Sequence, residues 1–202
     1  MDERGHRDEL ARICKLLYDR DLTFSSGGNM SVRVDPEHIV ITPSGRNKGM
    51  LRGEDMIKVN LNGEVIGEGR PSIEVGMHLI YYRMRDDVGA IVHCHPPYCT
   101  SLAIMGERLK SNLTPEGAVL LGEVPIAPYG TPGTNRLVDS VREHVHSDCL
   151  IMERHGALAV GSDLISAFNR MEELEFHARL QFIVGDRARE FDAAEIERIK
   201  QG

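Results

Sequence analysis

The sequence predicts an α/β protein in which several strands are joined by hairpins rather than all running parallel. Segments of helical periodicity interleave with short apolar runs of β type along the chain, and several of those runs are separated only by turn residues. No repeat, low-complexity stretch or linker interrupts this pattern, so 1–202 reads as a single domain long enough to bury a sizeable core.

The elements follow in order. Residues 7–20 (RDELARICKLLYDR) set Leu10, Ile13, Leu16 and Leu17 on one helical face with charges elsewhere. Ser25-Ser26-Gly27-Gly28-Asn29 is a loop, and MSVRV behind it alternates as a strand. HIVI is a second strand, stopped by Pro43-Ser44-Gly45. DMIKVNLNGEVIGEG is a hairpin turning at Asn62-Gly63. In SIEVGMHLIYYRMR, Val75, His78, Leu79 and Tyr82 fall at helical spacing, and VGAIVHCH is a buried strand. LGEVPIAPYGTPGT is a strand running into a Gly/Pro loop, and the helix TNRLVDSVREHV takes Thr134 as its N-cap. DCLIMERHGALAVG is two strands about a turn at His155-Gly156. A long helix then starts with Ser162 as N-cap, and a short acidic tail follows it.

Composition excludes several function classes. A net charge of −7 leaves no basic field for nucleic acid, although a local pocket can still attract a small anion. No apolar run nears the roughly 20 residues a membrane helix needs. The opening MDERGHRDELARICK is charged throughout, unlike a secretory leader. Cys14, Cys94, Cys99 and Cys149 form no CxxC pair, which predicts reduced thiols and a cytoplasmic protein. Aromatic residues make up 5% and Trp is absent, which argues against an aromatic base or sugar platform.

Side chains two apart on a strand share a face, so His93 and His95 project together while Cys94 points away. Two imidazoles so placed can grip one ion, or one can pack in the core while the other begins a loop. His155 interrupts LIMERHGALAV, where a turn at a sheet end exposes it. Together the three give the His₃ count of a catalytic zinc with one open position. Glu74 stands at a helix start, which the helix dipole favours for any acid, and where a general acid/base beside a metal could also sit. The loops SSGGNMS and TPSGRNKG are plain turns or anion-binding nests of backbone N–H groups; neither matches the P-loop pattern.

Taken in order, GGNMSVR, ITPSG, RPSIEVGMHLIYYRMRDDVGAIVHCHPP, YGTPGT and RHGALAVG resemble the class II aldolase/adducin family over nearly the whole chain. The resemblance implies a three-layer α/β/α sandwich around a largely antiparallel sheet, assembled as a homotetramer with active sites between subunits. It implies zinc on His93, His95 and His155, Glu74 as catalytic acid/base, and substrate phosphate held by Gly28, Asn29, Ser44, Gly45 and Ser72. The activity implied is cleavage of a sugar-phosphate substrate of the L-fuculose-1-phosphate kind into dihydroxyacetone phosphate and an aldehyde such as lactaldehyde. Alternatives within the family are a methylthioribulose-phosphate dehydratase, a deoxypentulose-phosphate aldolase and a non-catalytic adducin-like module. Glu74 argues against a 4-epimerase, in which an aspartate is expected. Two features depart from the aldolase pattern. Ser72-Ile73-Glu74 stands in place of Ser-Ser-Glu, and no tyrosine lies between Tyr98 and Tyr129 or after Tyr129.

Overall fold

The computed structural model describes residues 1–201. Eight strands form one sheet in the order β4-β3-β2-β1-β5-β8-β7-β6. They are β1 (Asn29–Asp35), β2 (His38–Ile41), β3 (Ile57–Asn60), β4 (Val65–Ile66), β5 (Ala90–Cys94), β6 (Ile126–Ala127), β7 (Cys149–Met152) and β8 (Gly156–Gly161). Every neighbouring pair is antiparallel except β6 with β7. The helices are α1 (Glu3–Asp19), α2 (Val75–Met84), α3 (Pro97–Met105), α4 (Pro115–Leu120), α5 (Asn135–Arg142), α6 (Leu164–Val184) and α7 (Ala193–Gln201).

Strand alternation divides the core into two. Met30, Val32, Ala90, Val92, Cys94 and Ala159 face one side, where they meet Leu10, Ile13 and Leu17 of α1, Leu102 of α3 and Phe168, Met171 and Leu174 of α6. Ile39, Ile41, Ile91, Leu150 and Leu158 face the other, where they meet Met77, Ile80, Tyr81 and Tyr82 of α2 and Leu137 and Val141 of α5. The chain is therefore an α/β/α sandwich about a largely antiparallel sheet. Burying one apolar face of each element against the middle layer removes most of its hydrocarbon from water. Among the described residues, no helix is long and apolar enough to cross a membrane.

Local differences from the sequence reading have physical causes. The N-cap of α6 is Asp163, whose carboxylate accepts from Ser166 N–H at 2.7 Å, rather than Ser162. Thr134 does occupy the α5 cap position, but its hydroxyl donates to the Thr131 carbonyl instead of capping an amide. The strand in LGEVPIAPYGTPGT shrinks to Ile126–Ala127, and the turn before β8 spans Glu153 to His155. Helix α3 occupies a segment to which the sequence pattern assigned no element; Pro97 suits its first turn, where the missing N–H is not needed. The acidic tail carries α7.

The topology sets β1, β5 and β8 side by side at the centre, with Asn29 opposite His93 and His93 opposite Leu158. The same end of these strands therefore receives the loop before β1, the segment after β5 and the turn before β8.

Candidate metal centre

His93 is the next-to-last residue of β5 and is wholly buried. Its Nδ1 donates to the Ala157 carbonyl at 2.9 Å, which leaves Nε2 as a lone pair aimed out of the sheet. His95 lies just past the strand, and its Nε2 comes within 3.1 Å of His93 Nε2. The strand's alternation thus extends to His95, while Cys94 is buried in the opposite core, as the sequence indicates. His155 completes the group from the β7–β8 turn, its ring centroid 4.8 Å from that of His93 and 5.2 Å from that of His95. One ligand nitrogen from each of the three lies within 4.8 Å of the others.

Tight backbone contacts hold these rings together. At Gly156, directly after His155, a Cβ would lie 2.4 Å from the Cys94 carbonyl oxygen and 2.7 Å from His95 Cδ2. Any larger residue would push the two histidine-bearing segments apart. Gly28 has φ +67°, and a Cβ there would meet the His93 carbonyl at 2.5 Å. Arg154 adopts a left-handed φ of 55° beside His155, and its N–H donates to the Ala103 carbonyl of α3. The N-terminus of α3 is capped from α6, because the Glu175 carboxylate accepts N–H bonds from Tyr98 and Cys99, each at 2.9 Å. Burial raises the Glu175 carboxyl, and these two donors oppose the rise. Glu175 thereby anchors the segment immediately after His95.

Glu74 sits at the N-cap position of α2 without capping it, and is 7% exposed. Its Oε1 lies 3.2 Å from His155 Nε2, and its Oε2 lies 3.5 Å from His93 Nε2. Burial pushes its carboxyl up, but His155, His93 and the N–H donated by Asn29 together hold it well below the usual carboxylate range. Burial lowers His93 well below the ordinary imidazole value and brings His95 to about 4, so both rings are neutral near pH 7. Neutral imidazoles offer lone pairs, which is the form a metal requires.

The donor set fits a divalent ion on a second ground. Glu74 Oε1 is buried, and His155 Nε2, 3.2 Å away, makes no aligned hydrogen bond to it, although an ionised carboxylate oxygen in such a place needs a positive partner. A cation held by the histidines meets that need.

The expected phosphate residues lie on the same side. Ser44 N–H donates to the Arg70 carbonyl and Ser72 N–H to the Thr42 carbonyl, so the loops at 43–45 and 70–72 run side by side. Gly45 is exposed with φ +70°, and Ser72 Oγ accepts from Glu74 N–H at 3.3 Å. Asn29 behaves differently, because its amide is directed at Glu74. Lys48 is a residue that the sequence reading passed over. It is 2% exposed, and its Nζ donates to the carbonyls of Ser26 at 2.8 Å and Arg46 at 3.0 Å. Burial lowers its ammonium, yet no carboxylate pairs with it directly. It ties the loop before β1 to the loop after β2. An unpaired buried lysine is a rare residue, but only its Lys-Gly context marked it in the sequence.

Comparisons with known proteins identify the family. The model of the family described as "Class II Aldolase and Adducin N-terminal domain" matches residues 8–182. An L-fuculose phosphate aldolase of Methanococcus maripaludis is 39% identical over 175 residues, covering 87% of this chain and 95% of that protein. A 3-oxo-tetronate 4-phosphate decarboxylase of Escherichia coli is 34% identical, covering 98% of this chain and 96% of that one. A solved structure of an L-fuculose 1-phosphate aldolase superposes with a TM-score of 0.90 at 33% identity, over 98% of this chain and 95% of the other.

Proposed function

The chain belongs to the class II aldolase and adducin family, and from that premise we propose that it is a zinc-dependent aldolase acting on a ketose 1-phosphate of the L-fuculose-1-phosphate kind. Its products are dihydroxyacetone phosphate and an aldehyde such as lactaldehyde. The observation that carries this reading is the convergence of three imidazoles on one point, with the buried Glu74 carboxylate against two of them.

A divalent ion held by His93, His95 and His155 supplies a Lewis acid beside the reacting carbonyl. Three imidazoles with one open position suit zinc. The remaining chemistry belongs to the chain. When the bond between C3 and C4 of the ketose breaks, the C4 hydroxyl loses its proton and the aldehyde departs. The bonding pair stays on C3 as the enediolate of dihydroxyacetone phosphate. Glu74, ionised at the outset, takes the C4 hydroxyl proton as the bond breaks and delivers it to C3, which completes the triose phosphate. Gly28, Ser44, Gly45 and Ser72 hold the phosphate, with Lys48 fixing two of their loops. Asn29 serves Glu74 instead. We read the protein as a cytoplasmic homotetramer with sites between subunits. The four free cysteines support the compartment, and exposed apolar Phe24, Met50 and Ile73 flanking the site's loops support the assembly.

A second reading, decarboxylation of a 3-oxo sugar-acid phosphate, has its own support. The decarboxylase relative spans nearly the full chain, and the tyrosines with which the aldolases handle the proton on the aldehyde oxygen are absent. Loss of CO₂ from the carboxylate of a 3-oxo acid leaves the same enediolate and needs no proton taken from the leaving group. One panel separates the two: ketose 1-phosphates and 3-oxo-tetronate 4-phosphate, assayed for triose phosphate together with aldehyde or CO₂. Triose phosphate with aldehyde is expected. Triose phosphate with CO₂ alone would move the chain to the second reading, and no triose phosphate from any substrate would overturn both.

A further inference from the structure

Behind Glu74, a chain of polar side chains runs away from the histidines into the core. Asn29 Nδ2 donates to Glu74 Oε2 at 2.6 Å, and His78 Nε2 lies 2.5 Å from Asn29 Oδ1. On the far side of the ring, His78 Nδ1 is 2.7 Å from Ser31 Oγ, which is 2.8 Å from the Tyr82 hydroxyl. Exposure is 3% at Asn29, 1% at Tyr82 and nil at Ser31 and His78. The sequence places these groups in pairs. Glu74 and His78 are four apart at the start of α2, and Asn29 and Ser31 share one face of β1.

The directions of all these bonds are forced from the carboxylate end. An ionised carboxylate only accepts, so Asn29 must turn its NH₂ toward Glu74; the flipped amide would set oxygen against oxygen. Asn29 Oδ1 can then only accept, so His78 Nε2 carries a proton. Burial lowers His78 to about 4, so the ring is neutral and its Nδ1 is a lone pair. Ser31 donates to that lone pair, and Tyr82 donates to Ser31. A primary amide does not pass protons along, and the chain ends on a tyrosine sealed from solvent. It therefore orients groups rather than conducting protons. Packing alone does not call for a histidine here, since an apolar side chain would fill the space without needing a matched partner at each ring nitrogen.

We propose that His78 is a positioning residue: by fixing the Asn29 amide, it holds the Glu74 carboxylate in the attitude needed for proton transfer on the substrate. This rests on the reading of Glu74 as the acid/base, and the test separates the two. Exchange of the hydroxymethyl hydrogen of dihydroxyacetone phosphate for deuterium, catalysed by the metal-loaded protein in D₂O, isolates the proton step. His78→Leu should slow exchange by about 10–100-fold, a typical cost of losing a group that orients a site residue, with metal content unchanged. His78→Gln, whose amide can still donate to Asn29, should recover most of the rate. Asn29→Ala should lose as much as His78→Leu, and combining the two should add little. Nitrogen NMR of the parent should show the Nε2–H tautomer at His78. A His78→Leu variant exchanging within about twofold of the parent would overturn the proposal, as would fully multiplying losses in the double variant. Should His78→Leu not fold, His78→Gln and the tautomer decide, and an Nδ1–H tautomer counts against it. A parent that leaves the hydrogen in place would overturn the reading of Glu74, and the role of His78 with it.

Discussion

At the start of β5 and the end of β8, a cleft of about 320 Å³ is lined by Arg85, Asp87, Asp148, Ser162 and Arg170. At the other end of the same strands stand His93, His95, His155 and Glu74. The first end is richer in charge, yet its charges satisfy one another. Arg85 bonds Asp87 and Asp148, and Arg170 bonds Asp148 and the carbonyls of Leu120 and Val160. The Asp87 side chain holds the Arg85 guanidinium above its usual range, and Arg85 in turn holds Asp87 below its own. At the histidine end, Glu74 Oε1 and His155 Nδ1 are buried without an aligned hydrogen bond. A cleft whose donors and acceptors are already paired has little valence left for a ligand, while one with unpaired buried groups is built around something further. Unmet valence, rather than cavity size or number of charges, distinguishes the two.

Substitution at each end sharpens this contrast. Glu74→Gln keeps the shape and removes the proposed proton carrier. Turnover should fall by about 10²–10⁴-fold, the usual worth of a general acid/base, with metal still bound. Arg170→Met, at the paired end, should lower the melting temperature while leaving kcat within about twofold, since it touches no reacting group. Equal losses of turnover from the two variants would break the distinction.

A smaller effect concerns pH. Burial lowers His93 well below its ordinary value and brings His95 and His78 to about 4, against about 6.5 in an unfolded chain. These depressed values mean that the unfolded state binds more protons between those limits. The stability they contribute is complete above about pH 6.5 and is lost as pH falls toward 4, at up to about 1.4 kcal/mol per histidine per pH unit. Burial raises Glu173 and Glu175, which oppose the trend, but the histidines outnumber them. The melting temperature of metal-free protein should therefore drop between pH 6.5 and 5 (roughly the window set by those values). A flat profile would show that the rings titrate as if exposed.

The three clustered histidines proposed as metal ligands were legible in the sequence because each follows from a local rule. Alternation on a strand pairs His93 with His95, and the polar break between two apolar runs marks the turn that carries His155, although the ring is turned inward and only 8% exposed rather than presented to solvent. Glu74 was marked by its helix start. The groups that hold these side chains in place were not legible, because they act across long separations. Asn29 reaches Glu74 over 45 positions, and Glu175 caps Tyr98 over 77. Nothing near His78 distinguishes it from a packed helix residue, and only the fold brings Ser31 and Asn29 beside its two nitrogens. Helix α3 was hidden for a related reason: Pro96-Pro97 reads as a break until Glu175 is seen capping the helix behind it.

The most direct test of the histidine centre is the metal content of protein purified without added metal, measured beside His155→Ala. One divalent ion per chain, zinc, is expected in the parent, with the variant empty or binding zinc far more weakly. A parent that holds no ion and takes up no zinc on titration, or a His155→Ala protein that binds zinc as tightly as the parent, would contradict it.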